Sequence, residues 1–521
     1  MQQEIVRARR DTIGEALSRS AERRPEKTAI TFEDRAWTYE ELDLAANRLA
    51  SGLLALGLRP GERIAAYGKN SDAYAILWLA CARAGLIHVP VNFSLTGDEL
   101  KYIIEQSGAR ALFHDQSLSG AVDAIWDEVD AELRGTLYGG SGLDALAMAG
   151  DSDDNEPEAE PSADDVVQLL YTSGTTAAPK GAMMTHRAFL AHYASCIEAL
   201  ELDREDRVLN ALPLYHSAPM HCQLMPHLLA GATVHIVVGP DPETCFRAIQ
   251  EKEITTLFAA PTVWIGFLRH PAFDDYDLTS LVKLFYGASI MPVPVLEELR
   301  ERLPNANPYN GYGQSEIGPL ATILKPAEHD ERPSSAGKPV LNVRTRVVDP
   351  EMNDVQPGEH GEIVHRSPQL MVGYWDKPEE TEEVFEGGWF HSGDLGHVDE
   401  EGYLYVVDRV KDVINTGGIV VSGREVEDAL YGHDSVSEVA VIALPDEKWI
   451  EAVGAVVALR DGFDGSGTLA SELQNFARES LAPFKVPKQV FFVEDLPRNT
   501  AGKVLKRELR ERFAQSAPSE A

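Results

Sequence analysis

Tyr171–Arg187 reads YTSGTTAAPKGAMMTHR. Thr172, Ser173, Thr175 and Thr176 flank Gly174, and Lys180 follows within the same run. This is chemistry for an anion. Backbone N–H groups freed by glycine, hydroxyl donors and one mobile ammonium together cradle phosphate. The apolar VVQLL before the run and a helical pattern after it predict a strand-to-helix loop, with the helix N-terminus adding its dipole. It is not a Walker A loop, which ends GK[ST]. Pro179 precedes Lys180 and Gly181 follows it, so the magnesium-holding Ser/Thr is missing. A polar surface turn is the plainer alternative.

The chain that must position this loop has 521 residues, too many for one core, so at least two domains are expected. There are 83 acidic against 47 basic side chains, a formal net charge of −36, and that field argues against nucleic acid as a partner. No apolar run reaches the roughly 18 residues of a membrane span. The N-terminus lacks the apolar stretch of a secretory signal. Cys81, Cys196, Cys222 and Cys245 are scattered, with no CxxC and no zinc spacing, and read as reduced thiols of a cytoplasmic enzyme.

Residues 12–115 alternate helical patterns with short apolar runs. YEELDLAANRLASGLLALGL predicts a helix, and RIAAYG, GLIHVPV and ARALFHD predict buried strands. That alternation implies parallel sheets covered by helices, an α/β fold. AGDSDDNEPEAEPSADD is an acidic, proline-containing loop. VRTRVVDP, GEIVHRS and GYLYVVDR predict a more β-rich subdomain. After DRVKDVINTGG, an α+β pattern continues through REVEDAL, EVAVIALP, EAVGAVVAL, LASELQNFARESL, QVFFVEDL and the basic KVLKRELRERFA. The expected division is a large N-terminal domain, 1–410, and a small mobile C-terminal one, 411–521.

The phosphate-type loop resembles the signature of the adenylate-forming superfamily, and five further stretches extend the resemblance in order. These are LPLYHSAP (Leu212–Pro219), YNGYGQSEIGP (Tyr309–Pro319), WFHSGDLG (Trp389–Gly396), DRVKDVINTGG (Asp408–Gly418) and LPRNTAGKVLKREL (Leu496–Leu509). The resemblance runs from about residue 12 to 512. It is strongest to bacterial fatty-acyl-CoA synthetases. It implies two half-reactions: a carboxylate attacks the α-phosphorus of ATP and releases pyrophosphate, then a thiol, usually that of coenzyme A, displaces AMP. Bringing two anions together needs positive charge and magnesium, and the mixed anhydride must be kept from water.

The resemblance implies roles residue by residue. Thr172, Ser173, Gly174, Thr175, Thr176 and Lys180 hold the phosphates. Glu316 and Thr176 are the magnesium ligands. Asn310, Gly311, Tyr312, Gly313, Gln314 and Ser315, with Gly287 and Ala288 of GASIMP, hold the nucleotide, Tyr312 stacking on adenine. Asp394 and Arg409 take the ribose. Lys503 bridges carboxylate and α-phosphate, and with Thr172, Glu316 and His216 makes the catalytic set. Lys411 is the hinge about which the small domain rotates. Gly417 and Gly418 admit the pantetheine arm, and Trp449 and Lys488 contact coenzyme A. His216 either gates the acyl channel or orients the carboxylate, unless it is a packed structural histidine. Two positions depart from the pattern: Ser315 stands where the family often has Thr, and GGIVV replaces the common GGEN, placing Ile419 and Val420 where Glu and Asn are usual.

No aspartate lies in Leu212–Pro219 to pair a substrate ammonium, which disfavours amino acids. Met220, Leu224, Trp264, Phe267, Ile290, Met291 and Ile317 are apolar candidates for the acyl wall, and a medium- or long-chain fatty acid is the expected substrate. An aryl or substituted short-chain acid, or a carrier-protein thiol as acceptor, is the alternative. The sequence leaves oligomeric state open, a homodimer included, as well as peripheral contact with a membrane.

Overall fold

The computed structural model describes residues 4–5, 8–150, 157, 159–172, 178–289, 291–409, 414–416, 419–446, 450–498 and 504–513. Two large sheets dominate. One has the order Lys338–Pro339, Leu320–Leu324, Asn307–Gly313, Lys283–Gly287, Thr256–Phe258, Arg207–Asn210, Thr233–Ile236, Thr28–Phe32 and Arg35–Thr38. Its six inner strands are mutually parallel. The other has the order Leu133–Thr136, Ala109–His114, Arg63–Tyr67, Ile87–Val91, Val166–Thr172 and Lys180–Thr185, and is parallel except for its last pair. The apolar runs expected to be strands at 63–68, 85–91 and 109–115 are strands of this sheet.

Helices fill the space between the sheets. Tyr39–Ala55 starts in a reciprocal cap, Thr38 accepting from Glu41 N while the Glu41 carboxylate accepts from Thr38 N. Asp72–Ala84 is buried on every side except at Arg83, so its apolar residues carry no amphipathic stripe. Its one buried carboxylate, Asp72, is paired. Arg35 approaches through Nε at 2.7 Å and Nη2 at 2.8 Å, and Trp37 Nε1 donates at 2.9 Å. A charge taken out of water needs such partners.

An antiparallel sheet follows: Arg344–Val348, Gly361–Arg366, Phe390–Val398 and Leu404–Arg409. The C-terminal segment has its own core around Val441, Val453, Leu473 and Leu430. There Val436–Asp446, Ile450–Leu459 and Gln489–Val493 form a sheet packed by Gly423–Tyr431 and Gly467–Ser480. The basic helix runs Lys506–Phe513, later than its sequence pattern, because Val504 bridges to Arg498 instead of joining the helix. The acidic loop at 149–165 lies partly outside the described residues, as does the expected domain division at 410/411. No helix among the described residues is long and apolar enough to cross a membrane.

One expectation is corrected. The 173–179 segment does not lead from strand to helix. It joins Val166–Thr172 to the antiparallel strand Lys180–Thr185, with Thr172 opposite Lys180, and the helix begins only at His186. KGAMMT pairs along the edge of the sheet before Thr185 caps the helix through Ala188 N at 3.1 Å. The helix that follows therefore starts six residues beyond Lys180, after a strand, instead of directly after the loop.

Candidate active site

Three sheets converge where the inner strands of the first large sheet end. Lys283–Gly287 and Asn307–Gly313 run parallel and lead into the segments at Ala288 and Gln314, as expected for a ligand crevice at the carboxyl ends of parallel strands. A Cβ at Gly287 would stand 2.3 Å from Gly311 O, so only glycine lets these strands approach. Ala288 holds φ at +64°, a left-handed conformation uncommon for alanine and typical of ligand clamps.

Glu316 is buried in the short turn Ser315–Ile317 that follows. Its Oε1 accepts from Thr172 Oγ1 at 3.2 Å and from Tyr374 OH at 3.0 Å. The hydroxyl at the mouth of the phosphate-type loop thus meets the acidic residue across 144 positions of sequence. Lys180 stands over the same Tyr374 ring, its Nζ 5.2 Å from the centroid. Burial, then the Glu316 carboxylate, pushes the Tyr374 phenol well above its ordinary value, so it stays a donor. Tyr374 was absent from the sequence-derived set. Its only signal was an aromatic beside glycine in GYW.

Asp394 comes from the antiparallel sheet and is buried. Tyr312 OH donates to its Oδ2 at 2.7 Å and Arg409 Nε to its Oδ1 at 2.8 Å. Asp394 and Arg409 are register partners on adjacent strands, which brings the two halves of the expected ribose contact together. Asn310 Nδ2 donates to Ser335 O at 2.8 Å, which leaves the carbonyl end of that amide as the acceptor an exocyclic amine needs. Ser315 Oγ lies 2.9 Å from Ser217 Oγ, tying LPLYHSAP to the Glu316 turn.

Two buried nitrogens here have no hydrogen-bond partner among the described residues: Gln314 Nε2 and His216 Nε2. Such atoms are costly unless a ligand meets them. Burial lowers His216 to about 4, so its ring is neutral near pH 7. Its neighbour Tyr215 packs edge-on against Phe93, with ring centroids 5.4 Å apart. The oxygen-only pair Glu316 and Thr172 suits a hard cation such as magnesium, and the orphaned nitrogens suit a polar ligand. Lys488 is exposed, its backbone N–H paired with Val453 O. Ser173, Gly174, Thr175, Thr176, Lys411, Gly417, Gly418, Trp449 and Lys503 lie outside the described residues.

The acyl-wall candidates do not gather as expected. Met220 and Leu224 belong to the core between the large sheets. Trp264, Phe267 and Met291 belong to a second cluster, and Ile317 to a third. Ile290 lies outside the described residues. Trp264 and Phe267 stand on one helix, Phe267 packing edge-on against both Trp264 and Phe246, while Trp264 Nε1 donates to Phe285 O at 3.2 Å.

The family model of the AMP-binding enzymes matches residues 17–375. The chain belongs to the AMP-binding enzyme family. The model of the AMP-binding enzyme C-terminal domain matches residues 425–503. Feruloyl-CoA synthase of Amycolatopsis sp is 38% identical over 505 residues, covering 97% of this chain and 100% of that one. The fatty acid–[acyl-carrier-protein] ligase ScoC of Streptomyces coeruleorubidus is 35% identical, covering 96% of each. Among solved structures, the anthranilate CoA ligase AuaEII in complex with anthranoyl-AMP superposes with a TM-score of 0.92 at 26% identity, over 98% of each chain. This AMP-binding enzyme is an AMP-forming acid–thiol ligase of the adenylate-forming superfamily, with the α/β fold of that group.

Proposed function

We propose that this AMP-binding enzyme is an ATP-dependent acid–CoA ligase whose substrate is a compact aryl carboxylic acid. The observation that supports the substrate reading is the placement of the described apolar candidates in three separate packing clusters instead of along one run, which favours a compact acid over an extended alkyl chain. A feruloyl-CoA synthase at 38% identity favours the same reading. The neutral, unpartnered His216 Nε2 lies in the LPLYHSAP segment tied to the Glu316 turn by Ser217, and there it orients the carboxylate. A fatty acid is the second reading, favoured by the fatty acid–[acyl-carrier-protein] ligase at 35% identity.

In this scheme the substrate carboxylate attacks the α-phosphorus of ATP. The P–O bond to pyrophosphate breaks and an acyl-adenylate forms. A thiol then attacks the acyl carbon and AMP leaves. Thr172, the 173–176 backbone and hydroxyls, and Lys180 hold the β- and γ-phosphates. Lys503 meets carboxylate and α-phosphate. Glu316 and Thr176 would hold magnesium, which would supply charge to neutralise the phosphates. Asp394 and Arg409 grip the ribose, while Tyr312, Asn310, Gly287 and Ala288 frame the adenine. The segment 411–521 turns about Lys411 between half-reactions. Gly417 and Gly418 then pass the pantetheine arm, and Trp449 and Lys488 meet the remainder of coenzyme A.

The test is a panel of aryl and C8–C16 carboxylic acids with ATP and magnesium, with and without coenzyme A, read by mass spectrometry for acyl-AMP and thioester. Acyl-CoA from aryl acids in preference to alkyl acids is expected. Turnover confined to alkyl acids overturns the substrate reading. Acyl-AMP without acyl-CoA replaces coenzyme A by a carrier-protein thiol.

A further inference from the structure

Folding gathers cysteines that the sequence scatters. His192 and Cys196 stand one turn apart on the helix His186–Ala199, so they share a face. Cys222 comes from Pro219–Leu224, a π-helical segment packed against that helix. All three side chains are buried, and their ligand atoms lie within 4.8 Å of one another, the one such cluster of His, Cys and carboxylate groups among the described residues. His192 Nε2 faces both sulfurs, 3.3 Å from Cys196 Sγ and 3.7 Å from Cys222 Sγ.

Those distances suit coordination. Zinc bonds of about 2.3 Å to sulfur and about 2.05 Å to nitrogen, at a tetrahedral angle, demand N···S edges of roughly 3.6 Å. The two observed edges bracket that length. A cation inside the triangle meets all three ligand atoms at once. Two thiolates also cancel the charge of a divalent ion, the arrangement a dry site requires. We propose that His192, Cys196 and Cys222 form a binding site for one soft divalent cation, zinc above all. Zinc replaces the two thiol protons, which pass to solvent, and a fourth position stays open to a small ligand. Of the three residues Cys222 is the most open, with 8% of its surface exposed.

The site stands immediately behind the turn that carries Glu316. A Cβ at Gly318 would lie 2.9 Å from His192 Cγ. Gln369 Nε2 donates to Ile317 O at 3.2 Å and Leu320 O at 3.0 Å, and its Oε1 accepts from Ser195 Oγ at 2.6 Å on the same helix.

The full chain, kept reduced with a phosphine and stripped by chelator, is titrated with cobalt(II) and then zinc(II), without ATP or acid. Failure of the ligase reading therefore leaves this test untouched. One equivalent of cobalt with a near-ultraviolet thiolate charge-transfer band, bleached by zinc, is expected, as is a Tm that rises with zinc. Cys196→Ser and Cys222→Ser lose the band. Cys245→Ser, whose sulfur lies in another cluster, keeps it. A wild-type chain without the band, a band that survives in the Cys196→Ser/Cys222→Ser double variant, or one lost in a folded Cys245→Ser chain overturns the proposal. The wild-type titration decides even where a variant fails to fold.

Discussion

Tyr374 OH donates to Glu316 Oε1 at 3.0 Å, and so joins the GYW segment to the acidic residue expected to hold magnesium. A hydrogen bond to a charged acceptor contributes about 1.5–3 kcal/mol. Thr172 bonds the same oxygen and retains part of the arrangement, so Tyr374→Phe is expected at the lower end, a roughly tenfold fall in adenylation rate. The magnesium concentration for half-maximal rate should rise with it. ATP–pyrophosphate exchange as a function of magnesium measures both. An unchanged magnesium requirement would remove Tyr374 from the site.

Asp394 is held by Tyr312 and Arg409 on separate oxygens. Asp394→Asn loses the ion pair and one ribose acceptor, and should raise KM for ATP at least about tenfold while leaving KM for the acid near its original value. Tyr312→Phe removes only the phenol and should raise KM for ATP less. Equal effects on ATP and acid would show that Asp394 shapes the whole crevice instead of the ribose contact.

Lys503→Ala should abolish acyl-AMP formation and spare ATP binding, because the lysine is assigned to the α-phosphate and carboxylate during attack. Calorimetric ATP binding alongside pyrophosphate release separates the two. Wild-type adenylation by that variant contradicts the mechanism.

Gly287→Ala puts a methyl group 2.3 Å from the Gly311 carbonyl on the neighbouring strand, where backbone must give way. A loss of about 1–3 kcal/mol in stability is expected, the range for overpacking a close contact. Gly266→Ala is the control. It lies in the helix Pro261–Arg269 with open space around the added methyl, and should stabilise by up to about 1 kcal/mol. Urea midpoints read both.

Burial holds His88 to about 3 and His186, His216 and His365 to about 4, against an ordinary 6.5. These rings stay neutral in the folded chain, while the unfolded chain takes up protons from about pH 6.5 downward. Their stability contribution is fully present above 6.5 and is lost as the pH falls toward 4. The urea midpoint should therefore be clearly lower at about pH 5 than at about pH 7. A midpoint that holds or rises on acidification would mean that these rings reach solvent.

Much of this enzyme was legible in order along the chain. Short apolar runs bounded by glycine and polar residues marked the strands at 63–67, 87–91 and 109–114, because period and punctuation are local properties. The motif stretches pointed to Thr172, Glu316, Tyr312, Asp394 and Arg409, and the fold brings Thr172 to Glu316 and both Tyr312 and Arg409 to Asp394. Tertiary pairing decided the rest. KGAMMT has strand chemistry, yet only the edge of the sheet made it a strand and turned the expected strand-to-helix loop into a hairpin. Trp264 and Phe267 read as acyl-wall candidates because they are apolar, and only the fold shows that they pack into one buried cluster with Phe246. Tyr374 meets Glu316, and Cys222 meets His192 and Cys196, across separations that no local pattern encodes. Which groups share a site depends on how sheets and helices stack, and stacking is a property of the whole chain.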